Sequence, residues 1–328
     1  PPPPPHPPPP PTPPAKLSSA ASDVYKETGS SPLGQLSVVE NLQVPFRHAP
    51  GLSIATRHIP SEQLAVFRDG GGMSAITRWD GSVPPAYLGD TTSALPYHLL
   101  DSPGVLVLGA GTGADVLQAI LHGAASVDAV ELDPGMAALV SDRFAEYAGH
   151  VYGHPRVSLH IGEARGYAAR SRARYDLVQI GLLDSFAVSG SGVQALNENY
   201  LYTVEAIRDY LDLLNPGGIL SITRWVKLPP RDSLKLVNTV VAALREAGVA
   251  EPADRMAMIR DWSTATLIVM NGELGVADIS WLGAFTRSRS FDVVHVPDMG
   301  ADQANRYFQL DRPWFFEGVQ ALLGPDAD

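Results

Sequence analysis

At 328 residues and 45% apolar, the chain is long enough for two domains, or for one domain with an extension, and can bury a large core. A net charge of −11 with no long basic run argues against nucleic acid as the main partner, and the lack of cysteine excludes disulfides, thiolate catalysis and cysteine-ligated metal centres. No stretch approaches the roughly 18 apolar residues of a membrane span, no signal peptide is visible, and the nine histidines show no ligand spacing, so no metal is expected.

Pro1 to Pro14 is almost pure proline, which favours extended polyproline II and cannot build a core. It reads as a spacer or tether, or as a ligand for a proline-binding module, and Ala15 to Ser22 extends this linker over 1–22. From 23 to 90, short strand patterns such as Leu36–Val39, Leu64–Phe67 and Ser74–Thr77 are punctuated by glycine and proline at hairpin-like spacing. They predict a small β-rich N-terminal domain.

Strands and helices alternate over 91–273. Strands are expected at 104–108, 126–131, 157–161, 175–180 and 218–225, with helical patterns at about 91–100, 114–122, 134–147 and 200–214. That alternation predicts a parallel sheet covered on both faces. A helix at about 232–247 follows, then Arg255–Arg260 and Thr264–Met270 as an antiparallel hairpin closing the sheet. Residues 274–328 form a C-terminal extension with a helix, the strand Phe291–Val296 and a final helical stretch. The predicted fold class is α/β, Rossmann-like, with a seven-stranded mostly parallel sheet of the class I methyltransferase type.

The sharpest chemistry lies where Val105–Leu108 breaks into Gly109-Ala-Gly111-Thr-Gly113, and where Val127–Val130 ends in Glu131 and Asp133. The first glycine permits a sharp turn after a strand; the next two admit a ligand to the backbone and pack the following helix on the sheet. An acidic tip on the next strand can accept both hydroxyls of a ribose. A nicotinamide enzyme would show Gly-x-Gly-x-x-Gly to seat a pyrophosphate on the helix N-terminus. Here the spacing is Gly-x-Gly-x-Gly, and Asp115 near the helix start would repel a pyrophosphate. A cofactor without phosphates, such as cationic S-adenosylmethionine, fits better. Gly162-Glu163-Ala164 ends the third strand of the pattern, where Glu163 or neighbouring backbone can accept the adenine amino group.

With these motifs in place the chain resembles the spermidine-synthase-like branch of class I S-adenosylmethionine-dependent transferases. The resemblance rests on Gly109–Gly113, Val130-Glu-Leu-Asp133, Gly162–Arg165, Tyr175-Asp-Leu-Val178 and Leu214–Ile219, and spans about 23–270 in layout. Thr92–Tyr97, Glu198–Ala206, Ile222–Trp225 and Ala304–Tyr307 resemble a bacterial subgroup in which such a domain is attached to membrane-spanning segments. The chain begins on proline, which reads as a processed or excised piece, so a cytoplasmic protein tethered to the membrane in its full-length form is expected. A homodimer is a further expectation.

The resemblance implies ribose binding by Glu131, a glycine turn (Gly109, Gly111, Gly113) against the donor's amino-acid or aminopropyl end, and Glu163 with Ala164 on the adenine side. It implies that Gln35 or Gln63 reaches the donor from the N-terminal domain. Polyamine synthases follow the fourth strand with two aspartates, the first of which deprotonates the attacking amine. Aligned on Tyr175-Asp176, that first position is Gly181, and Asp184 matches the second. Asp184 is therefore the candidate catalytic acid. Tyr200 and Tyr202 are candidates for substrate contact, the 184–199 loop is a candidate lid, and Tyr97 is a candidate to close the cofactor pocket.

The expected function is transfer of a methyl or aminopropyl group from S-adenosylmethionine, or its decarboxylated form, to a small acceptor such as an amine. The alternative is a non-catalytic nucleoside-binding sensor or assembly module that has lost the polyamine synthase base.

Overall fold

The computed structural model describes residues 23–31, 33–41, 43–183 and 200–324. An antiparallel meander comes first: β1 (Asp23–Ser31), β2 (Gly34–Asn41), β3 (Gln63–Arg68) and β4 (Gly71–Thr77), paired in that order. Asp69 and Gly70, both at positive φ, make the tight β3–β4 turn.

Eight strands form the second sheet: β5 (Gly104–Leu108), β6 (Ser126–Glu131), β7 (Val157–Ile161), β8 (Tyr175–Ile180), β9 (Leu214–Trp225), β10 (Met256–Arg260), β11 (Thr264–Met270) and β12 (Asp292–His295). Their order is β12-β10-β11-β9-β8-β5-β6-β7. Strands β5 to β9 pair in parallel, and the β10–β11 hairpin and β12 add antiparallel edges. The sheet thus has one strand more than the seven expected, because the C-terminal segment returns β12 to the free edge of β10 and covers its unpaired backbone groups.

Period-two alternation feeds two cores. Val105, Val107, Val127 and Ala129 face α1 (Ala114–Leu121), α2 (Pro134–Ala138), the helix Val276–Arg289 and the small sheet's Leu36, Val38, Leu64 and Ile76. Leu106, Leu108, Val178 and Ile180 face α3 (Ala164–Arg170), α4 (Val204–Asp212), α5 (Arg231–Glu246) and the C-terminal helix Trp314–Leu323. Burial on both faces explains why these strands read as unbroken apolar runs.

Two expected helices differ. The 91–100 pattern is a 3₁₀ helix, Thr92–His98, because it contains Pro96, which lacks an N–H and disfavours α conformation in the residue before it. The 134–147 pattern keeps only α2 as α-helix; a π turn over Leu139–Arg143 follows, closed by Phe144 N–H donating to the Leu139 carbonyl at 2.9 Å, and it keeps Leu139 and Val140 in the core.

Candidate active site

Strand order reverses between β5 and β8, and the loops leaving their carboxyl ends part there to form the crevice where open α/β sheets receive ligands. The crevice holds about 880 Å³ including its open mouth. Gly109–Thr112 and Ala114 form one wall, Asp115, Gln118, Gly181, Leu182 and Thr223 another, and the small sheet closes over it with Gln63, Ser74, Ala75 and Thr77.

The glycine turn is built as its sequence requires. Gly109, Gly111 and Gly113 have φ of 83°, 55° and 88°, a region that L side chains rarely adopt. A Cβ on Gly109 would sit 2.0 Å from Leu183 Cδ2, so a side chain there would also have to displace the tip of Leu183. The Gly109 and Ala110 N–H groups both donate to the Val130 carbonyl at 2.9 Å, which fastens the turn to β6.

Glu131 is 7% exposed. Its Oε2 accepts from Gly111 N–H and its Oε1 from Asp133 N–H, both at 2.8 Å. Burial pushes its carboxyl up, and the two backbone donors oppose that shift. Each oxygen keeps a lone pair for a further donor. Asp133 caps α2 through Gly135 N–H and accepts Arg68 Nη1 at 2.6 Å and Ser31 Oγ at 3.1 Å, so the ends of β3 and β1 both grip the residue two places after Glu131. Tyr152, which the sequence analysis did not single out, donates its hydroxyl to the Gly111 carbonyl at 2.8 Å and braces the turn from behind.

Glu163 is exposed at the tip of β7 and caps α3, its oxygens accepting Arg165 N–H at 2.8 Å and Gly166 N–H at 2.6 Å. Ala164 opens that helix. Of the two glutamines, Gln63 lines the crevice and Gln35 is exposed on β2. The Gln63 amide is already engaged: Nε2 donates to His48 O, Thr77 Oγ1 and Tyr87 Oη at 3.0–3.3 Å, and Oε1 accepts His48 N–H at 2.6 Å.

A buried polar chain lies under the crevice floor. Gln179, on β8 and 1% exposed, donates from Nε2 to Asp115 Oδ1 and Gln118 Oε1, each at 3.0 Å. Its Oε1 accepts the Tyr97 hydroxyl at 2.5 Å, and Gln118 Nε2 donates to Leu88 O and Thr91 Oγ1. Tyr97 therefore does not close the pocket; it is buried behind it, stacked on His122 with its hydroxyl fixing Gln179. Asp115 Oδ2 faces Gly181: a Cβ built there would lie 2.1 Å from that oxygen. The space beside β8 that a side chain at 181 would take is filled by a carboxylate from α1. Burial raises Asp115 to about 6, and the Gln179 hydrogen bond opposes the rise.

Tyr200 and Tyr202 do not line this crevice. Tyr200 is 59% exposed, and Tyr202 carries the Arg224 guanidinium over its ring at 4.3 Å, packed against the second core. Tyr202 is thus engaged in stacking here. Asp184, and the rest of the 184–199 loop, lie outside the described residues. Asp176 of the Tyr-Asp motif is structural: its carboxylate accepts Gly104 N–H and Asn215 Nδ2, each at 2.8 Å, at the opposite end of the sheet.

Apart from His48, which burial holds toward neutrality, Asp115 is the one ionisable acid or base among the described crevice residues that titrates near neutral pH; none of them is Lys or Arg. Such a lining suits a cationic sulfonium or amine and offers nothing to a pyrophosphate.

The sequence model of the spermine/spermidine synthase domain matches residues 95–272. A polyamine aminopropyltransferase of Korarchaeum cryptofilum is 30% identical over 199 residues, 60% of this chain and 57% of that protein. Polyamine aminopropyltransferase 2 of Hyperthermus butylicus is 29% identical over 138 residues, 42% of this chain and 43% of that protein. The chain thus spans about half the length of these curated relatives. Among solved structures, a spermidine synthase in complex with the transition-state analogue AdoDATO superposes with a TM-score of 0.52 at 16% identity, covering 77% of this chain and 76% of that one. A probable spermidine synthase from Corynebacterium glutamicum gives 0.53 at 17% identity, covering 80% and 86%. These structural likenesses carry the fold, and the domain match carries the kinship: the chain belongs to the spermine/spermidine synthase family.

Proposed function

We propose that this protein is an aminopropyltransferase, moving the aminopropyl group of decarboxylated S-adenosylmethionine to a small amine. The observation that carries this reading is the crevice at the β5–β8 reversal, covered by the small antiparallel sheet and lined by an acid with no Lys or Arg among its described residues. The names of the two curated relatives support the same activity.

In this reading Glu131 takes the ribose hydroxyls, with its two backbone donors holding the carboxylate in place before the donor arrives. The turn Gly109–Gly113 lets the donor's sulfonium end approach the backbone. Glu163 and Ala164 flank the adenine, with Glu163 ordering the tip of α3 and exposed backbone there meeting the base. The sulfonium is an activated leaving group, so in-line alignment of the amine supplies much of the acceleration.

The phrases at 92–97, 198–206, 222–225 and 304–307 support placing the chain in the membrane-attached branch, with the proline tract as a tether. Among the described residues no helix is long and apolar enough to cross a membrane.

Calorimetric titration of the chain with decarboxylated S-adenosylmethionine, S-adenosylmethionine and methylthioadenosine tests the reading, with mass spectrometry of products formed from diamines. Preference for the decarboxylated donor and a product heavier by one aminopropyl group are expected. Preference for S-adenosylmethionine with methylated products would replace this reading with methyl transfer, and binding without any product would replace it with the non-catalytic module.

A further inference from the structure

An aliphatic amine is protonated at neutral pH, as the lysine value of about 10.4 illustrates, and has no lone pair to attack with until a base removes a proton. The side chain at Gly181 that would supply that base in the resembling enzymes is missing. The geometry points to Asp115 as the catalytic base that takes this proton, an assignment that rests on the aminopropyl-transfer reading.

Three observations support it. Asp115 lines the crevice, so its carboxylate meets whatever binds there. Its Oδ2 occupies the volume that a side chain on Gly181 would fill, beside the end of β8. Its Oδ1 is held by Gln179 Nε2, and Gln179 is itself locked by Tyr97 and Gln118, so the free oxygen is aimed without cost at the moment of reaction. A glutamine buried in the middle of a central parallel strand has no packing advantage over leucine there; positioning a carboxylate gives it a purpose.

The step balances as follows. Asp115 Oδ2 accepts a proton from the ammonium. The freed nitrogen lone pair forms a bond to the donor carbon next to sulfur, the C–S bond breaks with its electron pair passing to sulfur, and the neutral thioether leaves. The new secondary amine leaves as its ammonium, and Asp115 returns its proton to solvent. The titratable groups facing Asp115 are the phenols of Tyr97 and Tyr152, both pushed well above the usual tyrosine range by burial, and His48 across the crevice, held toward neutrality. None of them carries a charge at neutral pH, so Asp115 titrates as a single group, lifted to about 6 by burial. A base poised there is ionised at neutral pH and still basic enough to take a proton.

The experiment uses the full chain with decarboxylated S-adenosylmethionine and diamines of three to five carbons, and compares Asp115→Asn, Asp184→Asn and the pair Asp115→Ala with Gly181→Asp. Asp115→Asn keeps the shape and the acceptor for Gln179, so donor affinity by calorimetry should stay within about threefold. Its turnover should fall by about 10²–10⁴-fold, the usual contribution of a general base. The acidic limb of the wild-type rate profile, near pH 6, should vanish in the residual activity. The paired variant, which moves the carboxylate from helix to strand, should exceed Asp115→Ala alone by at least about tenfold. Turnover of Asp115→Asn within a few-fold of wild type overturns the assignment, as does loss of donor binding in step with activity, which would make Asp115 a donor-holding group. An acidic limb that disappears in Asp184→Asn and persists in Asp115→Asn overturns it in favour of the loop residue. If the unaltered chain transfers no aminopropyl group, the functional reading falls first and this assignment with it.

Discussion

The two walls of the crevice are built on different principles. The wall on the β5–β6 side is local: Gly109–Thr112 lines it, and a 2.8 Å hydrogen bond from Gly111 N–H ties it to Glu131 behind, within one strand–helix–strand unit. The wall on the β8 side is assembled from distant segments: Asp115 and Gln118 of α1 are held from beneath by Gln179 of β8 and Tyr97 of a 3₁₀ helix, and the four meet only in the folded chain. A local wall keeps its sequence signature, whereas an assembled wall can keep its chemistry while its residues change places. Donor recognition should therefore fail through the first wall and turnover through the second.

The largest effect is expected at the local wall. On the proposed donor pose Glu131→Ala removes the acceptor for two ribose hydroxyls, and hydrogen bonds to a charged group are worth about 1.5–3 kcal/mol each. Donor affinity should fall by about 10²–10⁴-fold in calorimetry, while the fold and the melting cooperativity persist. An affinity within threefold of wild type would erase the distinction between the walls.

Gln179→Leu comes next and reads out on the other wall. It strips the buried Tyr97 hydroxyl and the Gln118 carbonyl oxygen of a partner, which should lower stability in urea by about 2 kcal/mol. Turnover should fall with donor affinity nearly unchanged; a loss of affinity equal to that of Glu131→Ala would show the walls to be one unit.

Asp115→Asn sharpens the comparison through pH. The folded chain binds the Asp115 proton more tightly than the unfolded chain, since burial lifts the group from 3.8 to about 6. Ionisation therefore costs stability; the cost is absent below about pH 4, grows through about pH 6 and is complete above it. The asparagine should raise stability at about pH 7.5 by ~1–2 kcal/mol, a range discounted for the water in the crevice, and by nothing near pH 4. An equal gain at both values would mean that packing, not charge, sets it.

Tyr152→Phe should have the smallest effect. It deletes one hydroxyl that braces the Gly111 carbonyl and should cost about 1 kcal/mol of stability, with at most a few-fold change in donor affinity.

The same division explains what could be read in advance. Periodicity and turn residues announce the strands from β5 to β11, because each is a short, mostly apolar run bounded by polar or turn residues. The edge strand Asp292–His295 is readable as a strand, yet its membership in the sheet depends on a partner more than 30 residues away, β10. Pro96 announces that 91–100 cannot be a regular helix, a signal that the apolar pattern around it conceals. At the candidate site, the glycine turn and its hydrogen-bonded partner Glu131 are legible because both lie within one strand–helix–strand unit. Tyr202 shows why aromatic residues are harder to read: one near a ligand-facing edge and one stacked on arginine look alike in one dimension. Gln179 offered a usable signal: a lone amide inside an otherwise apolar central strand must find buried partners, and those partners lead to Asp115.

Asp115 Oδ2 and a side chain at position 181 compete for one volume, so their substitutions cannot act independently. Aspartate at 181 is harmful while Asp115 is present and useful once it is gone, so the same substitution changes sign with its background. A lineage moving this carboxylate between helix and strand by single steps must pass through a chain with both, which clashes, or with neither, which lacks the charge. On the proposed assignment, the arrangement found here and one with aspartate on the strand would present a carboxylate to the same small volume, and the paired variant tests whether the two are interchangeable.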